Sequence, residues 1–263
     1  MRAIARIPIP TATSAPTGAT NAYVVGREGA ALVDPAGRTA ALDSAVEERS
    51  VEHLVLTHTH PDHVGAVADY ATRSGVTVWA HARYRDRFER ATGIEPDRTL
   101  TDGKSLVTGD EVGITVVETP GHAPDHLAFA VGSALLVGDL AMAEGSVLVG
   151  DDGDLSRYLA SLERLLALDP SRCYPGHGPL IEDPRKTLSR LIDHRRERER
   201  RVLAAVRSGC ETVDAIVESA YEKDLSGVEE LAAQAVRAHL RKLAAEGDIR
   251  WDGERVRATA SDD

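Results

Sequence analysis

Short apolar runs separated by turn-like polar segments dominate the chain up to about residue 183. The runs are β-branched or alternate apolar with polar positions, which is typical of strands; they lie at 1–8, 22–25, 30–33, 53–56, 76–80, 112–117 and 135–138. Between them, 39–49, 81–90 and 154–166 are compatible with helices, and 154–166 has leucine and tyrosine at helical spacing. This order indicates an α/β fold and is compatible with two mixed sheets sandwiched between helices.

The pattern changes at Pro184, where a longer charged segment begins. Residues 186–206 predict one long helix, and the mixed signs at 195–201 are typical of a solvent-exposed face with local ion pairs; a nucleic-acid-binding patch is the alternative. Three short helices are predicted next, at 212–221, 229–236 and 237–246, followed by an Asp-Gly hairpin signature at 247–257. The sequence therefore predicts a first domain of residues 1–183 and a C-terminal unit of residues 184–263.

The charge is unevenly divided between these two parts. Of the formal charge of −11, all comes from residues 1–183, with 15 Lys+Arg against 26 Asp+Glu, whereas residues 184–263 carry 16 of each. Arginine outnumbers lysine by 27 to 4, a composition that resembles proteins of salt-adapted organisms. Charges are screened beyond about 3 Å near 1 M salt, so acidity alone does not exclude an RNA substrate.

No targeting signal or membrane-spanning segment is predicted. The first residues lack the apolar core of about 7–15 residues found in signal peptides. No run approaches the ~20 apolar residues of a membrane-spanning helix. Cys173 and Cys210 match no cysteine-pair motif. We therefore expect a soluble, cytoplasmic protein with reduced thiols and no membrane partner; the sequence does not indicate its oligomeric state.

Potential metal ligands are concentrated in the loop that follows the apolar run at 53–56. Within six residues stand His58, His60, Asp62 and His63. Capping of the following helix would use one side-chain oxygen and gives no reason for three histidines. Imidazole and carboxylate groups are ligands of divalent transition metals, so the loop predicts a metal site.

Further candidate ligands stand where later strands end, at His122, Asp139 and His177. The succession His-x-His-x-Asp-His, Pro-Gly-His, Gly-Asp and Pro-Gly-His-Gly resembles the metallo-β-lactamase-fold hydrolases over about the first 180 residues. This resemblance implies an αββα sandwich and two divalent ions. One ion would be held by His58, His60 and His122, the other by Asp62, His63 and His177, and Asp139 would bridge both.

The same resemblance implies the chemistry of the site. Nitrogen and oxygen ligation suits Zn²⁺ and is compatible with Fe or Mn. A hydroxide bridged by two ions about 3.5–4 Å apart would be the nucleophile, with Asp62 orienting it. His126 is predicted to face the pocket as proton donor or phosphate contact, the alternative being a buried histidine outside the pocket. Asp34 is as compatible with a turn as with a support of the metal loop, and is left out of the predicted site.

The second half of the predicted catalytic part resembles the lactamase-β-like protein 2 subgroup, on residues 154–166, 175–181 and the Asp183-Pro184 pair. Only 37 residues separate Asp139 from His177, which excludes the large inserted domain of β-CASP nucleases. That subgroup carries a C-terminal winged helix, and the helices and hairpin predicted after residue 184 resemble one.

Three functions follow from these resemblances. The first is a metal-dependent phosphodiesterase, an endoribonuclease on single-stranded RNA. The second is a hydroxyacylglutathione thioester hydrolase of the glyoxalase II type, for which no glutathione-binding pattern is evident. The third is a nucleic-acid-binding regulator with a structural metal site, which a bridged pair with an open position disfavours.

Overall fold

Two β-sheets lie at the centre of the computed structural model, which describes residues 3–13, 17–73, 75–221 and 226–259. The first sheet has the strand order β1-β2-β3-β4-β5-β6. Neighbours are antiparallel from β1 to β3 and parallel from β3 to β6. The strands are β1 (Ile4–Pro10), β2 (Ala19–Val25), β3 (Ala31–Val33), β4 (His53–Val55), β5 (Thr77–His81) and β6 (Arg98–Leu100).

The second sheet has the order β11-β10-β9-β8-β7. All its neighbours are antiparallel except β10 and β11, which run parallel. The strands are β7 (Ser105–Val107), β8 (Gly113–Glu118), β9 (Leu127–Val131), β10 (Ala134–Gly138) and β11 (Arg172–Pro175). The predicted mixed sheets are thus confirmed.

Helices cover the outer face of each sheet. They are α1 (Ala40–Glu48), α2 (Pro61–Val64), α3 (Val67–Ala71), α4 (Arg85–Thr92), α5 (Leu155–Ala167) and α6 (Pro184–Arg207).

Alternation along β2 places Ala22 and Val24 in the cluster under α1, α3 and α4, and Tyr23 and Val25 in the cluster between the sheets. A third cluster joins the second sheet to α5 and to the first half of α6. The layers are therefore helix, sheet, sheet and helix, as the resemblance implied.

Side-chain caps define where the longer helices begin. Asp154 accepts a hydrogen bond from the backbone N–H of Arg157 at the start of α5. Asp183 does the same for Lys186 at the start of α6, where Pro184 occupies the first turn. Helix α6 thus begins at residue 184, and the division into two domains at that residue stays a prediction.

The C-terminal elements build a small cluster of their own. They are α7 (Val213–Ala220), α8 (Glu229–Glu246), β12 (Ile249–Trp251) and β13 (Val256–Ala258), with β12 and β13 antiparallel. Their apolar side chains pack on the second half of α6. The prediction of separate helices at 229–236 and 237–246 is wrong: both belong to α8, because no glycine or proline interrupts the helix from Glu229 to Glu246.

In the described ranges, every helix is too short or too polar to cross a membrane.

Candidate metal centre

The ends of three strands bring the predicted ligands to one side of the sandwich. His58 and His60 follow β4, and His60 occupies the N-cap position of the short helix α2. Asp139 follows β10, and His177 follows β11, its parallel neighbour. His122 lies in the connection from β8 to β9.

The structure brings all seven predicted ligands together. Their nitrogen and oxygen atoms form three groups, in each of which the atoms lie within 4.8 Å of one another; the groups are His58, His60 and His122; His58, His63 and Asp139; and Asp62, His63 and His177. One Asp139 oxygen, Oδ2, lies 3.7 Å from His122 Nε2 and 3.2 Å from His177 Nε2. Its Oδ1 lies 3.5 Å from His63 Nε2. Asp139 therefore occupies the position between the two predicted ion sites.

Several of these atoms have no hydrogen-bond partner, which is the test of whether the residues fit metal ions. In the described part of the chain, the buried His58 Nε2, His63 Nε2 and Asp139 Oδ1 have no hydrogen-bond partner. Leaving buried polar atoms unpaired costs free energy. A divalent cation would satisfy them, so these donors fit the ions that the sequence predicted.

In three of the five candidate histidine ligands, the ring nitrogen Nδ1 donates a hydrogen bond to a carboxylate or carbonyl oxygen. His63 Nδ1 donates to Asp34 Oδ2 at 3.0 Å, and His122 Nδ1 donates to the Leu148 carbonyl at 2.8 Å. His177 Nδ1 donates to the Ala19 carbonyl at 2.8 Å. These bonds orient each ring with Nε2 toward the centre, where His122 Nε2 lies 2.9 Å from His60 Nδ1 and His177 Nε2 lies 3.2 Å from Asp139 Oδ2.

Asp34 is a site residue that the sequence left open. It is buried, accepts hydrogen bonds from the Thr57 backbone N–H at 2.7 Å and the Thr57 hydroxyl at 2.6 Å, and holds His63. It adopts a positive φ of 50°. The available signal was its place directly after a strand of the metal-binding sheet; only the fold shows that Thr57 and His63 converge on it.

Charges within the centre are strongly coupled. Burial opposes ionisation of Asp139, but the imidazoles of His63 and His177 outweigh it and hold the pKa of Asp139 well below its usual range. Burial lowers the pKa of His177, but the Asp139 and Asp62 carboxylates raise it more strongly, to about 10. Burial also opposes ionisation of Asp62, but the hydrogen bond from His177 outweighs burial, and the pKa of Asp62 is lowered to about 2. The carboxylates are therefore anionic at neutral pH, as cation binding requires.

His126 lies outside the cavity that adjoins the metal centre. It is fully buried, contacts Thr119 Oγ1 through Nδ1 at 2.8 Å, and accepts from the Asp139 backbone N–H through Nε2 at 3.1 Å. Burial, and then the charge of His122, lowers its pKa to about 3. This corrects the expectation that His126 faces the pocket: both ring nitrogens are occupied, and the residue supports the backbone that carries Asp139.

A polar network that sequence reasoning missed surrounds His60. Its Nε2 contacts Asp152 Oδ2 at 3.2 Å, and the same oxygen accepts from Arg87 Nη2 at 2.8 Å. Arg87 also donates to Thr59 Oγ1 at 2.8 Å, and Thr59 donates to the buried Asp125. Only a charged helix at 81–90 and a polar loop were visible in the sequence, so no local signal paired them.

A cavity of about 700 Å³ opens over the metal centre. Its described lining includes three histidines, five carboxylates and an apolar set, namely His60, His122 and His177; Asp62, Asp139, Glu144, Asp151 and Asp152; and Met142, Ala143, Val147, Leu148, Pro179 and Leu231. Lysine and arginine are absent from this described lining. The cavity therefore combines an apolar wall with an acidic floor formed by candidate metal ligands.

The sequence of this chain is similar to those of several known proteins. A family model described as the metallo-beta-lactamase superfamily matches residues 15–177. The beta-lactamase-like protein 2 homolog of Drosophila melanogaster is 32% identical over 215 residues, covering 78% of this chain and 72% of the relative. The thioesterase pkgB of Emericella nidulans is 31% identical over 198 residues, covering 70% of this chain and 53% of that protein.

Solved structures match as well. The metallo-beta-lactamase family protein TTHA1429 from Thermus thermophilus has a TM-score of 0.78 and 25% identity, covering 98% of this chain and 99% of that chain. That likeness extends over the C-terminal elements. TTHA1623 in a di-iron-bound form has a TM-score of 0.52 and 31% identity, covering 72% of this chain and 97% of that chain.

Proposed function

The chain belongs to the metallo-β-lactamase superfamily and is a metal-dependent hydrolase, and from this premise we propose that its substrate is a thioester with an apolar acyl group. The observation that carries the proposal is the cavity over the metal centre. It offers apolar side chains beside the ligands and, in its described lining, only acidic charged residues besides the histidines. Apolar pockets with a few convergent polar groups suit small uncharged groups.

The same lining disfavours a polyanionic substrate. Proteins that bind RNA or DNA contact phosphates largely through lysine and arginine. The described cavity wall instead adds Glu144, Asp151 and Asp152 to the ligand carboxylates. The endoribonuclease activity expected from the sequence stays a prediction, as does the winged-helix character of residues 184–263, and neither draws support from this cavity.

We propose that the seven ligands hold two divalent ions, Zn²⁺ in the first instance with Fe or Mn as alternatives. One ion is assigned to His58, His60 and His122, the second to Asp62, His63 and His177, and Asp139 to both. When bound, such a pair supplies a water whose pKa falls from 15.7 to about 7 and polarises the carbonyl oxygen of the substrate. A di-iron-bound relative supports a two-ion site of this kind.

The chain's own residues complete the reaction. Asp62 lines the cavity as an anion and is placed to accept a hydrogen bond from the attacking water. The water oxygen bonds to the acyl carbon, the C–S bond breaks, and the thiolate takes up one proton of the water. The products are a carboxylate, a thiol and one released proton.

The leaving group explains why His126 need not reach the cavity. A thiol has a pKa of about 8.5, so a thiolate departs near neutral pH without a dedicated acid. The alkoxide released from a phosphodiester is far more basic and needs one. A thioester substrate is therefore consistent with a buried, neutral His126. The thioesterase name of one relative supports the same substrate class.

The test is a side-by-side assay of the Zn²⁺-reconstituted protein. The substrates are acetyl, butyryl and octanoyl thioesters, a hydroxyacyl-glutathione thioester, and a fluorogenic single-stranded RNA, each at low and high salt. We expect thioester turnover by the wild type. Asp139→Ala should lose bound metal and lower turnover by more than about 100-fold, because loss of a group that only supports a metal ligand already costs about 10- to 100-fold.

The matched control is Asp102→Ala, which removes a surface carboxylate paired with Arg164. It should keep both metal content and rate. RNA cleavage without thioester turnover would overturn the proposal in favour of the nuclease, and full activity of a metal-replete Asp139→Ala would overturn the ligand assignment.

A further inference from the structure

Helix α8 of the C-terminal unit forms part of the cavity wall. Leu231 and Gln234 line the cavity beside the metal ligands, although they lie on an element outside the two sheets. Their spacing of three residues places both side chains on one face of α8. The opposite face carries Val236, Leu240 and Leu243 into the C-terminal apolar cluster. The C-terminal unit therefore contributes to the wall of the cavity over the candidate metal centre.

Ion pairs hold this face of α8 against the loop after β10. Arg241 Nη1 lies 3.3 Å from Asp151 Oδ1, and Arg241 Nη2 donates to the Gly150 carbonyl at 2.8 Å. Arg237 Nε lies 3.7 Å from the same Asp151 oxygen. The adjoining Asp152 contacts His60. The position of α8 is thus tied to the loop that borders the metal centre.

Apolar residues of that loop complete the lining. Met142, Val147 and Leu148 line the cavity together with Leu231. The carbonyl of Val147 accepts from Arg195 of α6, and that of Leu148 accepts from His122. Both backbone positions are therefore fixed, one by the C-terminal helix α6 and the other by a metal ligand.

We propose that Leu231 of α8, together with Met142 and Leu148, forms the subsite for the acyl chain, and that Leu231 sets the length of chain accepted. This inference rests on the proposed thioesterase function and names its specificity determinant. The carbonyl to be attacked lies over the metal ligands, and the acyl chain extends along the apolar lining toward α8. Gln234, the next residue along this face, marks the polar end of the subsite.

The experiment compares Leu231→Trp and Leu231→Ala with wild type on a homologous series of acyl thioesters, from acetyl to dodecanoyl, with a constant thiol. The measured quantity is kcat/KM for each chain length relative to acetyl. Leu231→Trp should lower the octanoyl-to-acetyl ratio about tenfold or more, because one methylene misfitted in a hydrophobic pocket changes kcat/KM by roughly 10- to 200-fold. Leu231→Ala should shift the preferred chain to greater length.

The matched control is Val228→Trp, which adds the same bulk at an exposed position near the start of α8 that does not line the cavity. A folded Leu231→Trp with a wild-type ratio would overturn the inference while leaving the proposed function intact. If Leu231→Trp does not fold, an unchanged chain-length preference in Leu231→Ala has the same consequence.

A second measurement separates the inference from the proposed function. Octanoate and butyrate are added to the Zn²⁺-reconstituted protein, and the thermal unfolding midpoint is recorded for wild type and both Leu231 variants. If wild type cleaves no thioester but octanoate raises its midpoint and not that of Leu231→Trp, the acyl subsite stands and the thioesterase proposal falls. Equal stabilisation of both proteins by octanoate would overturn the subsite.

Discussion

At the scale of single residues, the candidate metal centre requires the backbone of Gly176 to lie close to the side chains of Asp139 and His63. A Cβ built on Gly176 would lie 2.2 Å from Asp139 Oδ1 and 2.9 Å from His63 Cε1. Real Cβ atoms do not approach other atoms so closely, so any other residue at 176 displaces the carboxylate between the two predicted ion sites. The Gly176 N–H also donates to the Gly138 carbonyl at 2.8 Å, which holds the two strand ends together.

We expect Gly176→Ala to lower the number of metal ions bound per chain and to destabilise the fold by about 1–3 kcal/mol, the usual cost of overpacking. Metal content measured by elemental analysis and unfolding by denaturant test both effects. Gly113→Ala is the matched control, because a Cβ there meets no atom within 4 Å. Wild-type metal content in Gly176→Ala would contradict the predicted role of Asp139 as a metal ligand.

At the scale of elements, α6 and α8 enclose a second set of histidines outside the metal centre. His239 of α8 is buried, and its Nδ1 lies 3.6 Å from Glu199 Oε2 of α6. His194 lies on α6 in the same region. Burial, and then the charges of Arg195 and Arg198, lowers the pKa of His194 to about 4. A proton on His194 is therefore unfavourable in the folded chain.

This lowered pKa predicts a pH dependence of stability. Above pH ~6.5 His194 is neutral in both states; between there and its folded pKa of about 4, the unfolded chain binds a proton that the folded chain excludes. The free energy of unfolding therefore falls as pH falls through this window. The thermal midpoint of His194→Gln should fall less than that of wild type between about pH 7 and pH 5, whereas near pH 8 the difference between the two midpoints should no longer change with pH.

The difference at pH 8 serves as the control, because there only packing distinguishes the two proteins. A parallel decline of both midpoints with pH would show that His194 carries no proton linkage.

At the scale of the whole molecule, the candidate centre joins the two sheets. The loop with His58, His60 and His63 follows β4 of the first sheet, whereas Asp139 and His177 follow β10 and β11 of the second. Ions held by both sets would cross-link the sandwich and satisfy buried atoms that are otherwise unpaired. Binding that is restricted to the folded state stabilises that state.

Chelation should therefore lower the thermal midpoint. An ion present at 1,000 times its dissociation constant contributes about 4 kcal/mol, which corresponds to a shift on the order of 10 °C for a protein of this size. The measurement is calorimetry before and after dialysis against chelator, followed by addition of Zn²⁺. Asp139→Ala should respond less. An unchanged midpoint in a verified metal-free wild type would exclude a stabilising site between the sheets.

The sequence by itself was enough to predict the candidate ligands and to determine the class of fold. The histidines at 58, 60, 63, 122 and 177 and the carboxylates at 62 and 139 stand directly after strands whose apolar patterns are local and strong. In the structure, Asp154 and Asp183 cap the starts of α5 and α6 through contacts that are equally local. Such features depend on residues a few positions apart, which is why a single sequence predicts them.

Tertiary structure alone decided what surrounds the ligands. Asp152 accepts a hydrogen bond from Arg87, which lies 65 residues away in the sequence, and Asp151 accepts one from Arg241, 90 residues away. The burial of His126, the support from Asp34 and the wall formed by Leu231 likewise depend on which elements pack together. Side-chain direction at such long separations is set by the packing of layers, and the local pattern carries no information about it. The candidate ligands are therefore predictable from the sequence, whereas the shape and charge of the cavity arise from the packing of the loops and of α8 around them.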